Sequence, residues 1–315
     1  MRLHGVRAVL LGSLALSAGC KAKADAPAAG PPAARTEQRG DSPAPAANRP
    51  AEVRSEHVLL AVYWMEHGET SVEVFAVMPA AGGLAQPALD DSAAATNFYE
   101  RWLKPGRGYT VLRGGARSGT ITITDNDMAG CMALTAQTRA QVSEPGWFGA
   151  GLATDAPIAR PTPVVGQPTD AERAAMTALL RREVEAKGGR WSGDARVDVL
   201  RVALSGGAAV VGSAALYPAS SAGEDNRPRH AAFIIAEAGA DGALRPAATW
   251  SHALSAGGEE DEEVERRLLD AADLDGDGTP EIVARTAMTE SWRYDVYRRG
   301  PDGWAVVYTG GGGGC

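Results

Sequence analysis

The chain has 315 residues, of which 44% are hydrophobic and 22% charged, a balance that supports a folded core and excludes a chain disordered throughout. Its formal charge of −8 argues against the basic footprint that a nucleic-acid partner requires. Ala and Gly are abundant and Lys is scarce, as in proteins encoded by high-GC bacterial genomes.

Arg2 and Arg7 form a positive n-region, and Ala8 to Leu16 is an apolar run too short to span a bilayer. It ends in Leu16-Ser17-Ala18-Gly19-Cys20, which resembles a bacterial lipobox. The resemblance implies a signal peptide over 1–19, cleavage before Cys20 and a diacylglycerol on its thiol. Loss of Arg2 and Arg7 takes the charge from −8 to near −10. Lys21 is not the Asp that retains many lipoproteins at the inner membrane, which points to the outer membrane. No later stretch reaches eighteen consecutive apolar residues, so the lipid is the expected anchor.

Residues 20–54 are rich in Ala, Pro, Gly and Arg, too poor in large apolar groups to offset ordering entropy. They read as a disordered tether, long enough at ~3.1 Å per residue to hold a domain roughly 100 Å from the membrane.

From 55 to 143 the pattern is that of a small, barrel-like β domain. His57 to Met65 is apolar and Ser71 to Met78 alternates, with Glu66 to Thr70 as a turn. Tyr109–Arg113 and Thr120–Thr124 form a second hairpin across a Gly-rich turn, and a third strand follows around Cys131 to Thr138. Residues 144–168, rich in Pro and Gly, read as a linker or a long covering loop.

Residues 169–315 read as a helix followed by a β-rich domain. Thr169-Asp170-Ala171-Glu172 is a capping box, Met176, Leu179, Leu180 and Val184 follow at helical spacing, and Gly188-Gly189 ends the helix. Candidate strands follow at Arg196–Leu204, Ala208–Tyr217, Ala231–Glu237 and Ala247–Ser251, then at Arg267–Ala272, Ile282–Ala287, Trp292–Arg298 and Trp304–Tyr308. Trp292, Tyr294 and Val296 are placed on one face of their strand, and Trp304, Val306 and Tyr308 on one face of the next. Two groups of four strands are too few to close a propeller. The expected fold is therefore mainly β, of the α+β kind. The tail, Gly310 to Gly314 and Cys315, resembles that of uncharacterised lipoproteins of high-GC soil bacteria. In an exported chain Cys131 and Cys315 form an even pair, and the glycines lend Cys315 the reach to make a disulfide.

The stretch Asp273-Leu274-Asp275-Gly276-Asp277-Gly278-Thr279-Pro280-Glu281 lies between two candidate strands. Alternating carboxylates suit calcium, which takes about six to eight hard oxygen ligands, and Gly276 and Gly278 permit the backbone to wrap an ion. An EF-hand needs an acid at its twelfth position, where this chain has Ala284. The loop resembles the FG-GAP or VCBS repeats of integrin-like propellers, in one copy and with Glu281 in place of the final Asp. The resemblance implies a calcium site built from Asp273, Asp275, Asp277, the Thr279 carbonyl and Glu281. Such an ion is expected to brace the fold rather than to serve catalysis.

There is no Gly-x-Ser-x-Gly and no His-Glu-x-x-His, and the five histidines lack ligand spacing. The function expected is that of a lipid-anchored envelope protein, not an enzyme, with a calcium-stabilised module that binds a protein or glycan. Two alternatives stay open. One is an envelope hydrolase using an unmotifed carboxylate pair or the calcium, with the acidic run 259–263 nearby. The other is sugar binding through the Trp292/Tyr294 and Trp304/Tyr308 faces.

Overall fold

A computed structural model describes residues 55–64, 70–89, 91–127, 133–143, 149–217, 228–254 and 262–314. The expected signal peptide and tether, Cys20, Cys131 and Cys315 lie outside them. Residues 50–315 gather into one unit. Its described part is mainly β, with two helices and three antiparallel sheets, and it is not a propeller.

The first sheet is a closed barrel. It consists of β1 (Ser55–Trp64), β2 (Thr70–Pro79), β3 (Gly108–Arg113), β4 (Ala116–Asp127), β5 (Thr135–Val142) and β6 (Ala150–Thr154), in the order β1-β2-β5-β4-β3-β6. β6 closes it by pairing with both β1 and β3, so the stretch 144–168, expected as a linker, supplies a barrel stave. Val58, Leu60 and Val62 fill the interior, while Leu59 and Ala61 on the opposite face of β1 pack against another sheet. Burial on both faces is why this strand reads as an unbroken apolar run. On the solvent wall the alternation is plain: Ile121 and Ile123 are buried, and Thr122 and Thr124 are exposed.

A helix not expected from the sequence, α1 (Ser92–Trp102), is capped by Asp91, whose Oδ1 accepts the Ala94 N–H at 2.8 Å. Its Phe98, Tyr99 and Trp102, followed by Leu103, join the barrel core.

The second sheet has the order β11-β10-β9-β8-β7, from β7 (Val165–Gly166), β8 (Arg196–Leu204), β9 (Gly207–Leu216), β10 (His230–Ala238) and β11 (Leu244–Ala253). α2 (Asp170–Ala186) covers one face of it. Its capping box is present in both directions: Thr169 Oγ1 accepts the Glu172 N–H at 3.2 Å, and Glu172 Oε2 accepts the Thr169 N–H at 2.8 Å. Met176, Leu180 and Val184, one turn apart, pack on Val199, Val210 and Ile234.

The third sheet runs β12 (Glu263–Ala272), β13 (Glu281–Met288), β14 (Ser291–Gly300) and β15 (Gly303–Gly314) in sequence order. It is the middle layer of the molecule. Leu269, Val283, Tyr294 and Val296 meet the barrel wall, and Leu268, Ile282, Ala284 and Tyr297 meet the second sheet.

Two expectations for β15 are corrected. Its pairing with β14 shifts at Val296↔Tyr308 and Tyr297↔Val306, leaving Val307 as an extra residue. Such a bulge reverses the facing of everything beyond it. Trp304 therefore packs towards the second sheet and Tyr308 towards the barrel, while Val306 is exposed. Nor is the glycine run a loose tail. Gly311 and Gly312 have φ of +61° and +88°, and a Cβ at either would fall on the Phe75 backbone or the Trp292 carbonyl. Glycine is needed here because a strand squeezes between β14 and the barrel.

Candidate functional site

The loop 273–280 joins β12 to β13 at one end of the middle sheet. Leu274, 2% exposed, anchors it in the core shared by barrel and sheet. Gly276 and Gly278 have φ of +79° and +92°, which the tight wrap requires.

Carboxylate oxygens of Asp273, Asp275 and Glu281 lie within 4.8 Å of one another and form a possible acidic metal-binding group. Two oxygens on one calcium, each ~2.4 Å from it, stand at most about this far apart. The all-oxygen donor set thus fits a hard cation. Asp277 is outside this group: its Oδ1 accepts the Thr279 N–H at 2.7 Å and shapes the turn. Asp273 is also a turn-former, with Oδ1 accepting from Gly276 N at 2.8 Å and Oδ2 from Gly278 N at 3.1 Å.

Two arginines remote in sequence neutralise the acids. Arg298 of β14 reaches Asp275 Oδ2 at 2.6 Å and Glu281 Oε1 at 2.9 Å. Arg160 reaches Asp273 Oδ2 at 3.1 Å and the Gly278 carbonyl at 2.9 Å. Burial holds the Glu281 carboxyl above its usual range, opposed by the Leu274 N–H and by Arg298. The acids of the loop are thus partly neutralised by Arg298 and Arg160.

The same end of the sheet clasps the barrel. Asp270, wholly buried on β12, accepts the Gly114 N–H from the β3–β4 turn at 2.9 Å and the Ala271 N–H at 2.8 Å. The Arg160 N–H donates to the Gly115 carbonyl at 2.8 Å. One residue, Arg160, therefore ties the barrel turn to the acidic loop.

A second polar cluster lies inside the barrel–sheet interface. Glu73 on β2, only 4% exposed, accepts Trp292 Nε1–H at 2.6 Å and the Tyr294 hydroxyl at 2.8 Å, and the Tyr294 and Tyr63 hydroxyls are 2.5 Å apart. Burial raises Glu73 above the usual carboxyl range and pushes Tyr63 up to about 12. The one signal for this cluster in the sequence is an acid at a strand position whose neighbours are apolar.

Of the aromatic residues considered for sugar stacking, Tyr294 is 0% exposed and Trp304 and Tyr308 are 8% exposed, while Trp292 is half-buried. Of the acidic run, the described Glu262 lies by His252 at 3.0 Å, and Glu263 pairs with Arg266 at 2.9 Å and with Arg293. Neither belongs to the acidic group of the loop. No helix among the described residues is long and apolar enough to cross a membrane. Compared with known proteins, the chain matches no family model, no curated protein and no solved structure.

Proposed function

We propose that this chain is a lipid-anchored binding protein of the bacterial cell envelope whose layered β core is braced by calcium. The observation that carries the ion is the convergence of Asp273, Asp275 and Glu281 at the end of the middle sheet. On the resemblance to FG-GAP and VCBS loops, Asp277 and the Thr279 carbonyl complete the ligand set once Arg298 withdraws. Bound calcium would supply positive charge at the point where the barrel turn, the 160 segment and the β12–β13 hairpin meet. Its role there is mechanical, locking neighbouring layers together. The address rests on the n-region and on Leu16 to Cys20, with protein or glycan in the envelope as the class of partner.

The test is thermal unfolding of the full chain in chelator and in millimolar calcium. Binding to the native state alone raises stability by ~2.7 kcal/mol at a hundredfold excess over the dissociation constant. Asp275→Ala removes that gain, and magnesium substitutes poorly because it demands octahedral geometry at ~2.0–2.1 Å. Identical melting curves in both conditions would leave the loop an arginine-clamped turn. For the address, Cys20→Ser abolishes incorporation of an alkyne fatty acid; a wild-type chain that takes up no label removes the anchor. We also propose the Cys131–Cys315 disulfide, which non-reducing peptide mapping tests directly.

A further inference from the structure

Between the barrel and the middle sheet lies a cavity of about 170 Å³, lined by Tyr63 and Ala150 on the barrel side and by Glu265, Arg267, Leu269 and Arg285 on the sheet side. Its charges are unequally satisfied. Arg267 is held by Asp198 at 2.7 Å and stands 3.7 Å from Glu265. Arg285 lies over the Trp292 ring at 5.3 Å and beside the Tyr63 hydroxyl, and its Nε has no hydrogen-bond partner. Among the described residues no carboxylate comes within ion-pair distance of it. Glu73, whose charge acts on Arg285 from within the interface, has both oxygens taken by Trp292 and Tyr294. A half-buried guanidinium is costly to leave without a carboxylate at ion-pair distance.

We infer that this cavity binds a small organic monoanion, its carboxylate on Arg285 and its apolar body against Ala150 and Leu269. Size supports the class, since an engineered cavity of ~150 Å³ holds benzene. Charge supports it as well. The Glu265 carboxylate in the lining disfavours a ligand carrying two negative charges, while Arg285, with no carboxylate at ion-pair distance, disfavours a neutral or cationic one. Arginine on an aromatic face is a planar donor suited to carboxylate. The inference adds a small-molecule ligand to the protein or glycan partner proposed above. It uses no residue of the acidic loop, so measurements made in chelator separate its failure from failure of the calcium reading.

The experiment is calorimetric titration of the full chain, in chelator, with benzoate and with the neutral isostere benzamide. Benzoate is expected to bind at least about tenfold tighter than benzamide, a difference of ~1.4 kcal/mol. Arg285→Gln should erase that preference. Ala287 also lines the cavity, and Ala287→Leu, which fills it and leaves Arg285 in place, should abolish benzoate binding with little change in melting; it decides the question if Arg285→Gln does not fold. Equal binding of the two probes, no heat from benzoate at millimolar concentration, or wild-type benzoate affinity in Ala287→Leu would overturn the site. Displacement of benzoate by an equal concentration of inorganic phosphate would overturn the assignment to an apolar-bodied monoanion.

Discussion

Asp270→Asn isolates the electrostatics of the clasp between barrel and middle sheet. Asp270 is 0% exposed, and burial pushes its carboxyl from the ordinary 3.8 up to about 7, against the pull of the Ala271 and Gly114 N–H groups and of Arg113. A carboxyl with a raised folded pKa keeps its proton in the native state where the unfolded chain has lost it. Its contribution is therefore complete below 3.8 and fades as pH rises to about 7. From pH 8 to pH 5 the gain is ~1.4 kcal/mol for each of the two units below 7, or about 3 kcal/mol in all. In a unit of this size that equals about 5–10 °C in melting temperature. Asparagine keeps an oxygen for the two backbone N–H groups but cannot titrate. Urea unfolding of both proteins at pH 5, 6, 7 and 8 reads the difference in slope. Glu73 and Glu281, also raised by burial, tilt both curves alike and cancel. Parallel wild-type and Asn curves would refute the claim that Asp270 is protonated in the mildly acidic native protein.

Other substitutions probe the remaining joints. Arg298→Gln should cost about 1–3 kcal/mol in chelator, because it strips a charged partner from buried Glu281, and should tighten calcium binding, because it removes the group the ion displaces; unchanged calcium affinity by calorimetry contradicts that exchange. Gly311→Ala should destabilise by at least about 2 kcal/mol through overlap with Phe75 and a left-handed backbone. Gly193→Ala, where a Cβ meets nothing, is the matched control; equal urea midpoints for the two would free the glycine tail from the strand. Thr169→Ala should cost ~1 kcal/mol by removing the cap of α2, and a circular-dichroism melt identical to wild type would show the cap to be idle.

Local chemistry was legible wherever it acts through neighbours in sequence. The Thr169/Glu172 capping box, the Gly114-Gly115 turn and eight of the nine strands of the last two sheets follow from spacing alone. So does the placement of Trp292, Tyr294 and Val296 on one face. The α1 helix was present in outline, as Asp91 three residues before Ala94 and an i, i+4 pair in Phe98 and Trp102. The small residues and Asn between them masked the apolar stripe.

What only the tertiary structure decided is which faces meet and which distant charges converge. A period of two says that a strand has two faces, not what covers either. The five residues of β6, Ala-Gly-Leu-Ala-Thr, carry no periodic signal, and they become a stave by pairing with both β1 and β3. The acidic loop declared its own carboxylates at a spacing suited to an ion. The guanidiniums of Arg160 and Arg298 reach it from segments 113 and 17 residues away. Glu73 and Tyr294 are separated by 221 residues. Pairings of that kind depend on how three sheets stack, and the energy that selects the stack comes from the summed burial of apolar faces rather than from any short run of residues.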